Sequence, residues 1–146
     1  SGAIVATIAM GKDSRIRSGA FILGGGDIAE IIAYSDSYFT SPLQRRVALK
    51  LGFTKDALYR VLSAILNHLN PKLWALQIRG RPTLIMEAEL DDFIPRNSKV
   101  SLREALNNPK VITYPFKHKT TFILFTPVGL HIPCWQIRNF FQKTLR

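Results

Sequence analysis

The apolar positions of this chain change period several times, and each change predicts an element. Ala3–Met10 is an almost unbroken apolar, β-branched run and predicts a strand. Gly11–Arg17 is a polar, basic loop, and Ala20–Leu23 predicts a short strand closed by Gly24-Gly25-Gly26. Asp27, with Glu30 three residues on, has the spacing of a capping box for a helix striped by Ile28, Ile31 and Ile32 that fades near Phe39. Ser41-Pro42 is a second helix start, followed by Leu43, Val47 and Leu51 at helical spacing and by Gly52 as a stop. Thr54 opens the clearest helix, with Leu58, Val61, Leu62, Ile65, Leu66 and Leu69 on one face and Asn70-Pro71 at its end.

Beyond Pro71 the pattern reads as strands. Leu73–Arg79 and Thr83–Leu90, around Gly80-Arg81-Pro82, predict a β-hairpin. Ser101 and Glu104 cap a short helix stopped by Asn107-Asn108-Pro109. Val111–Pro115 and Thr120–Thr126, around the basic turn Phe116-Lys117-His118-Lys119, predict a second hairpin. Pro127 and Gly129 break the chain, and Pro133 starts a last helix facing inward through Ile137, Phe140 or Phe141, and Leu145. The expected fold class is α+β: a single domain over residues 1–146, with antiparallel β-hairpins packed with several helices. Ser1-Gly2 reads as a cloning scar or an internal boundary, so that a preceding arm is expected.

Charge adds a partner class. The formal net charge is +10, and the excess is uneven. From Ala105 to the end there are six basic residues and no acid; from Ser41 to Met86 there are eight and only Asp56. Such surfaces suit a polyanion, either nucleic acid or an anionic membrane surface. No stretch approaches the ~20 apolar residues a spanning helix needs. The lone Cys134 has no partner for an internal disulfide, which fits a reducing compartment.

Candidate chemistry is sparse. His68, His118 and His131 are scattered without zinc spacing, and Cys134 three residues after His131 reads as incidental packing. The glycine run lacks the Lys-Ser/Thr of a phosphate loop and reads as a flexible turn. Glu87, Glu89, Asp91 and Asp92 could hold a divalent cation, but read better as the solvated face of a hairpin. No catalytic residue, metal or cofactor is expected, and the chain reads as a non-enzyme.

Two resemblances compete. Ala48–Arg60 resembles a helix-turn-helix, with Gly52 at the turn and Leu58 locking the second helix. Residues 42–69 would then be the DNA-binding unit and 73–90 the wing of a winged helix, with Thr54, Lys55, Tyr59 and Arg60 facing DNA. A further option is RNA binding by the hairpins through Tyr114, Phe116 and Lys117.

The second resemblance covers about Ala3 to Val128. The strand Ala3–Met10, then Gly26-Asp27-Ile28, then Asp36-Ser37-Tyr38, is similar to the order of elements in rhabdovirus matrix proteins. The hairpin ending at Asp91-Asp92, then Ser101–Leu106, then the turn Lys117-His118-Lys119, continues the similarity. The proline-rich motif and lysine-rich arm of the animal viruses are absent, which fits a truncated chain or a plant-infecting member. The resemblance implies a structural protein that self-associates, condenses the viral nucleocapsid and bridges it to the envelope's inner face during assembly and budding. It places the protein in the virion and at the host cytoplasm, inner membrane surface or nucleus. The residues assigned to polyanion or membrane contact are Lys12, Arg15, Arg17, Phe116, Lys117, Lys119, Arg138 and Lys143.

Overall fold

The structure, a computed structural model, describes residues 2–107, 109–126 and 131–145. Ser1, Asn108, Arg146 and the expected break at Pro127 and Gly129 lie outside the described residues.

The first expected strand is a helix, α1 (Gly2–Lys12), whose inward positions Thr7 and Met10 are one turn apart. The β-branched residues Ile4, Val5, Thr7 and Ile8 are tolerated because burial of this stripe outweighs their modest dislike of helix. The short strand β1 (Gly19–Ile22) forms where the pattern predicts it. Asp27 caps α2 (Ile28–Tyr34) by accepting from the Glu30 amide at 3.2 Å. The reciprocal half of that box is replaced: the Asp27 amide donates to Ser98 Oγ. The helix stops at Tyr34, short of Phe39, and a tight turn follows.

Next come α3 (Ser41–Leu51), ended by Gly52 in the left-handed region, and α4 (Lys55–Leu66), capped by Thr54 through the Ala57 amide. Both match the sequence reading. The first expected hairpin does not form. Pro71 starts a helix instead, α5 (Pro71–Ala75), which runs into a 3-10 turn at Leu76–Ile78 and buries Ala75 and Ile78 three residues apart. Only its second arm is a strand, β2 (Thr83–Ala88), and all six of its residues are buried.

The short helix expected from Ser101 starts earlier, as α6 (Arg96–Leu106), and ends at Asn107 with φ +55°. Then follow β3 (Lys110–Tyr114), α7 (His118–Ile123) and α8 (Ile132–Thr144). The expected second hairpin therefore also fails: the arm after Lys117 is helical at its start.

The mixed helix-and-strand class holds, but the antiparallel pairing does not. The strand order is β1-β2-β3 and both pairings are parallel, in the registers Gly19↔Thr83 and Leu84↔Lys110. Parallel neighbours need helical crossovers, which α2–α5 and α6 supply. Helices α1, α5 and α6 cover one face and α8 the other, which explains why β2 reads as a continuous apolar run rather than an alternation. On one face Phe21 and Ile85 pack with Met10, Ala75, Ile78 and the α6 residues Leu102, Ala105 and Leu106. On the other, Leu84 and Met86 pack with Phe140 of α8.

Candidate active site

A parallel sheet sends the loops after every strand to one edge, where ligands of such sheets bind. Here those loops carry Leu23–Gly25 after β1, Asp92–Ile94 after β2 and His118–Lys119 after β3, and all three meet around one cavity of about 400 Å³.

His118 of the lining is paired with Asp91, buried behind it. His118 Nδ1 lies 3.0 Å from both Asp91 carboxylate oxygens, and the Asp91 side chain has no exposed surface. The turn into α6 fixes that carboxylate, because the amides of Phe93 and Ile94 each donate to Oδ1 at 2.8 Å. Burial pushes the Asp91 carboxyl up. The hydrogen bond from His118, the two amides and the histidine's charge pull it down further and hold it below the usual carboxylate value. The imidazole is steadied by the Phe93 ring, 4.9 Å away between centroids. With Nδ1 facing Asp91, the other ring nitrogen is the one free to accept a proton. Among the described residues nothing hydrogen-bonds to it.

The start of α1 comes to the same place. A Cβ on Gly24 would lie 2.9 Å from the Ala3 Cβ, so the bare glycine is what lets α1 approach. Ala3, Leu23 and His118 line both the main cavity and a second one of about 320 Å³. The first-turn amides of α1 have no acceptor within the helix and carry its positive dipole end. Leu23 itself is held at φ +52°, an uncommon conformation for a side-chain-bearing residue, by donating to the Met86 carbonyl at 2.8 Å.

The acids expected on one wet hairpin face part company. Glu87 is buried against Arg103 at 2.5 Å, Asp91 is buried against His118, and Glu89 and Asp92 remain exposed. Among the described residues no group of three or more His, Cys, Asp or Glu could hold a metal. Cys134 is exposed at the start of α8.

The residues assigned to polyanion contact lie in three places. Lys12 sits over the Trp74 ring, Arg15 is clamped by Asp13 at 2.7 Å and Arg17 is exposed, all at the far end of α1 from the cavity. Lys117 stands just before α7 without a side-chain capping bond, Lys119 stands at the cavity, and Phe116 is partly exposed, on a bend rather than a hairpin tip. Arg138 and Lys143 are exposed on α8. For the DNA alternative, the Thr54 oxygen is occupied as a cap, Lys55 pairs with Asp36, Tyr59 packs on Tyr34, and Arg60 is exposed. Residues 73–90 form no wing, since β2 is the buried central strand. No described helix is long and apolar enough to cross a membrane.

No family model and no curated protein matches the sequence. Solved structures do match. An acetyl xylan esterase from Paenibacillus superposes with a TM-score of 0.70 at 19% identity, over 98% of this chain and 42% of that one. A Pyrococcus horikoshii acylaminoacyl peptidase gives 0.69 at 15% identity, over 99% and 23%. A Pyrococcus furiosus esterase gives 0.59 at 14% identity, over 99% and 51%. The chain shares its fold with a part of each of these structures. The chain spans less than half the length of the first two of these structures.

These findings overturn the resemblance to viral matrix proteins, since the neighbours are esterases and peptidases and the strands are parallel. With it goes the structural, budding-related function drawn from it, and the winged-helix alternative, whose wing does not form. The reading as a non-enzyme is corrected by the same neighbours. Asp91 and His118 were not brought together in the sequence because they are 27 residues apart and meet only through parallel pairing of β2 and β3. The signal available was an apolar run ending in an acid, followed by a second strand ending in a histidine.

Proposed function

We propose that this chain carries the acid–base pair of an acyl hydrolase, with an ester or amide as substrate. The observation that carries the reading is His118, locked by a buried carboxylate and lining the cavity at the carboxyl edge of a parallel sheet. Asp91 holds Nδ1–H and fixes the tautomer, so Nε2 is a base. It takes a proton from an attacking water as the new C–O bond forms at the substrate carbonyl. It then returns that proton to the leaving alcohol or amine as the old bond breaks. The unsatisfied first-turn amides of α1, whose Ala3 lines the same cavity as His118, are the donors we assign to the carbonyl oxygen as it gains charge. The fold shared with esterases and a peptidase supports the same chemistry.

The test is release of acid from simple esters by the full chain. His118→Ala and Asp91→Asn should each lower kcat/KM by roughly 10³–10⁴-fold, the size seen when a catalytic triad loses a member. Unchanged rates in both variants would reject the reading.

A further inference from the structure

One wall of the main cavity is built of rings. Tyr38 meets Phe39 edge-on at 5.9 Å between centroids, Phe39 meets Phe93 edge-on at 6.3 Å, and Phe93 meets the His118 imidazole at 4.9 Å. This series runs from the cavity mouth to the proposed base. Its outer members are unusually bare: Tyr38 is 79% and Phe39 72% exposed.

The turn that carries them is held firmly. The Asp36 amide donates to the Asp92 carbonyl at 3.1 Å, tying it to the loop of Asp91. Ser37 Oγ accepts from the Phe39 amide, Thr40 Oγ1 donates to the carbonyls of Ser35 and Ser37, and Gln44 Nε2 donates to those of Ile32 and Ser35. Exposed rings on a turn fixed in this way lose little freedom on meeting a ligand, the condition for pre-organised binding. The opposite side is aliphatic, with Ile4, Leu23, Ile31 and Ile94. About 400 Å³ is the scale of a small-molecule site. The charged groups on the lining are Asp36, Asp92, His118 and Lys119; Asp36 is paired with Lys55.

We infer that the cavity selects esters or amides bearing an uncharged aromatic ring. The ring packs edge-to-face on Phe39 and Tyr38 while the carbonyl lies at His118, and Phe39 sets the preference. The inference rests on the hydrolase reading above and deepens it. Rings favour offset and edge-to-face contact, which the tilted series offers at its open end. Asp92 and Lys119 on the lining are of opposite sign, so no single-signed charge draws a charged ring.

The experiment compares ethyl acetate, ethyl phenylacetate and benzyl acetate as substrates of the full chain and of Phe39→Ala and Phe39→Tyr. The ratio of kcat/KM for the ring-bearing esters to that for ethyl acetate should fall about tenfold in Phe39→Ala, the size of one lost aromatic contact. It should recover in Phe39→Tyr. A binding arm separates the two readings: phenylacetamide is titrated by NMR into Asp91→Asn and into Phe39→Ala. Binding kept in the first and weakened about tenfold in the second supports the ring wall even if no ester is turned over. Equal affinity in both, or an unchanged substrate ratio, overturns it.

Discussion

Arg103 of α6 donates to Glu87 of the central strand at 2.5 Å, and Thr113 of β3 donates to the same carboxylate oxygen at 3.3 Å. The pair bolts a helix to the sheet just below the Asp91 loop. The Glu87 side chain is 5% exposed, and its second oxygen is buried without a partner among the described residues. Arg103→Met should therefore cost about 3 kcal/mol, because it strands a buried charge. Glu87→Gln, which keeps an acceptor, should cost less. Urea unfolding of the two variants checks the order, and a smaller loss for Arg103→Met would contradict it.

Acid should destabilise the protein partly through Asp91. Its folded pKa is depressed, so the carboxylate binds protons less readily in the folded state than in the unfolded chain. That contribution is complete above the ordinary aspartate value of about 4 and is lost as pH falls through the lower folded value. Asp91→Asn should start less stable near neutrality and show a shallower decline below about pH 4. Melting temperatures taken over a pH series would show it; parallel acid limbs for the two proteins would not fit.

Gly25 is a place where no side chain fits. A Cβ there would lie 2.5 Å from Ser98 Oγ and 2.9 Å from Ile94 Cγ2. Ser98 Oγ is itself engaged, accepting from the Asp27 amide and donating to the Asp27 carbonyl. Gly25→Ala should cost about 1–3 kcal/mol by overpacking, and should disturb the cavity wall at Ile94. Thermal unfolding measures the first effect and ester turnover the second. A fully stable variant would mean that α6 can shift away freely.

Punctuation was the legible part of this fold. Asp27, Pro42, Gly52, Thr54 and Pro133 each mark a helix boundary at or within a residue of where it forms, because caps and stops act locally. Strand partners were not legible. Thr83–Ala88 is apolar enough to be a strand anywhere, and nothing local says that its neighbours are Gly19–Ile22 and Lys110–Tyr114. Leu73–Ile78 and the segment after Lys117 alternate well enough to imitate hairpin arms, yet helices start there at Pro71 and at His118. The site was hidden for the same reason. Its acid was read as one of four surface charges, and its histidine as part of a basic turn.

The pairing of Gly19 with Thr83 also governs how the molecule assembles. Everything from α2 to α5 lies between these two residues in the chain. Ordering it by local turns is quick, whereas bringing β1 to β2 must close that whole loop first. The helices can therefore be present while the sheet is still open. The Asp91–His118 pair needs only β2 and β3 side by side, joined through the shorter α6 crossover, so it can be in place before β1 docks. Newly made chains would pass through a stage in which the β1-facing edge of β2 waits unpaired.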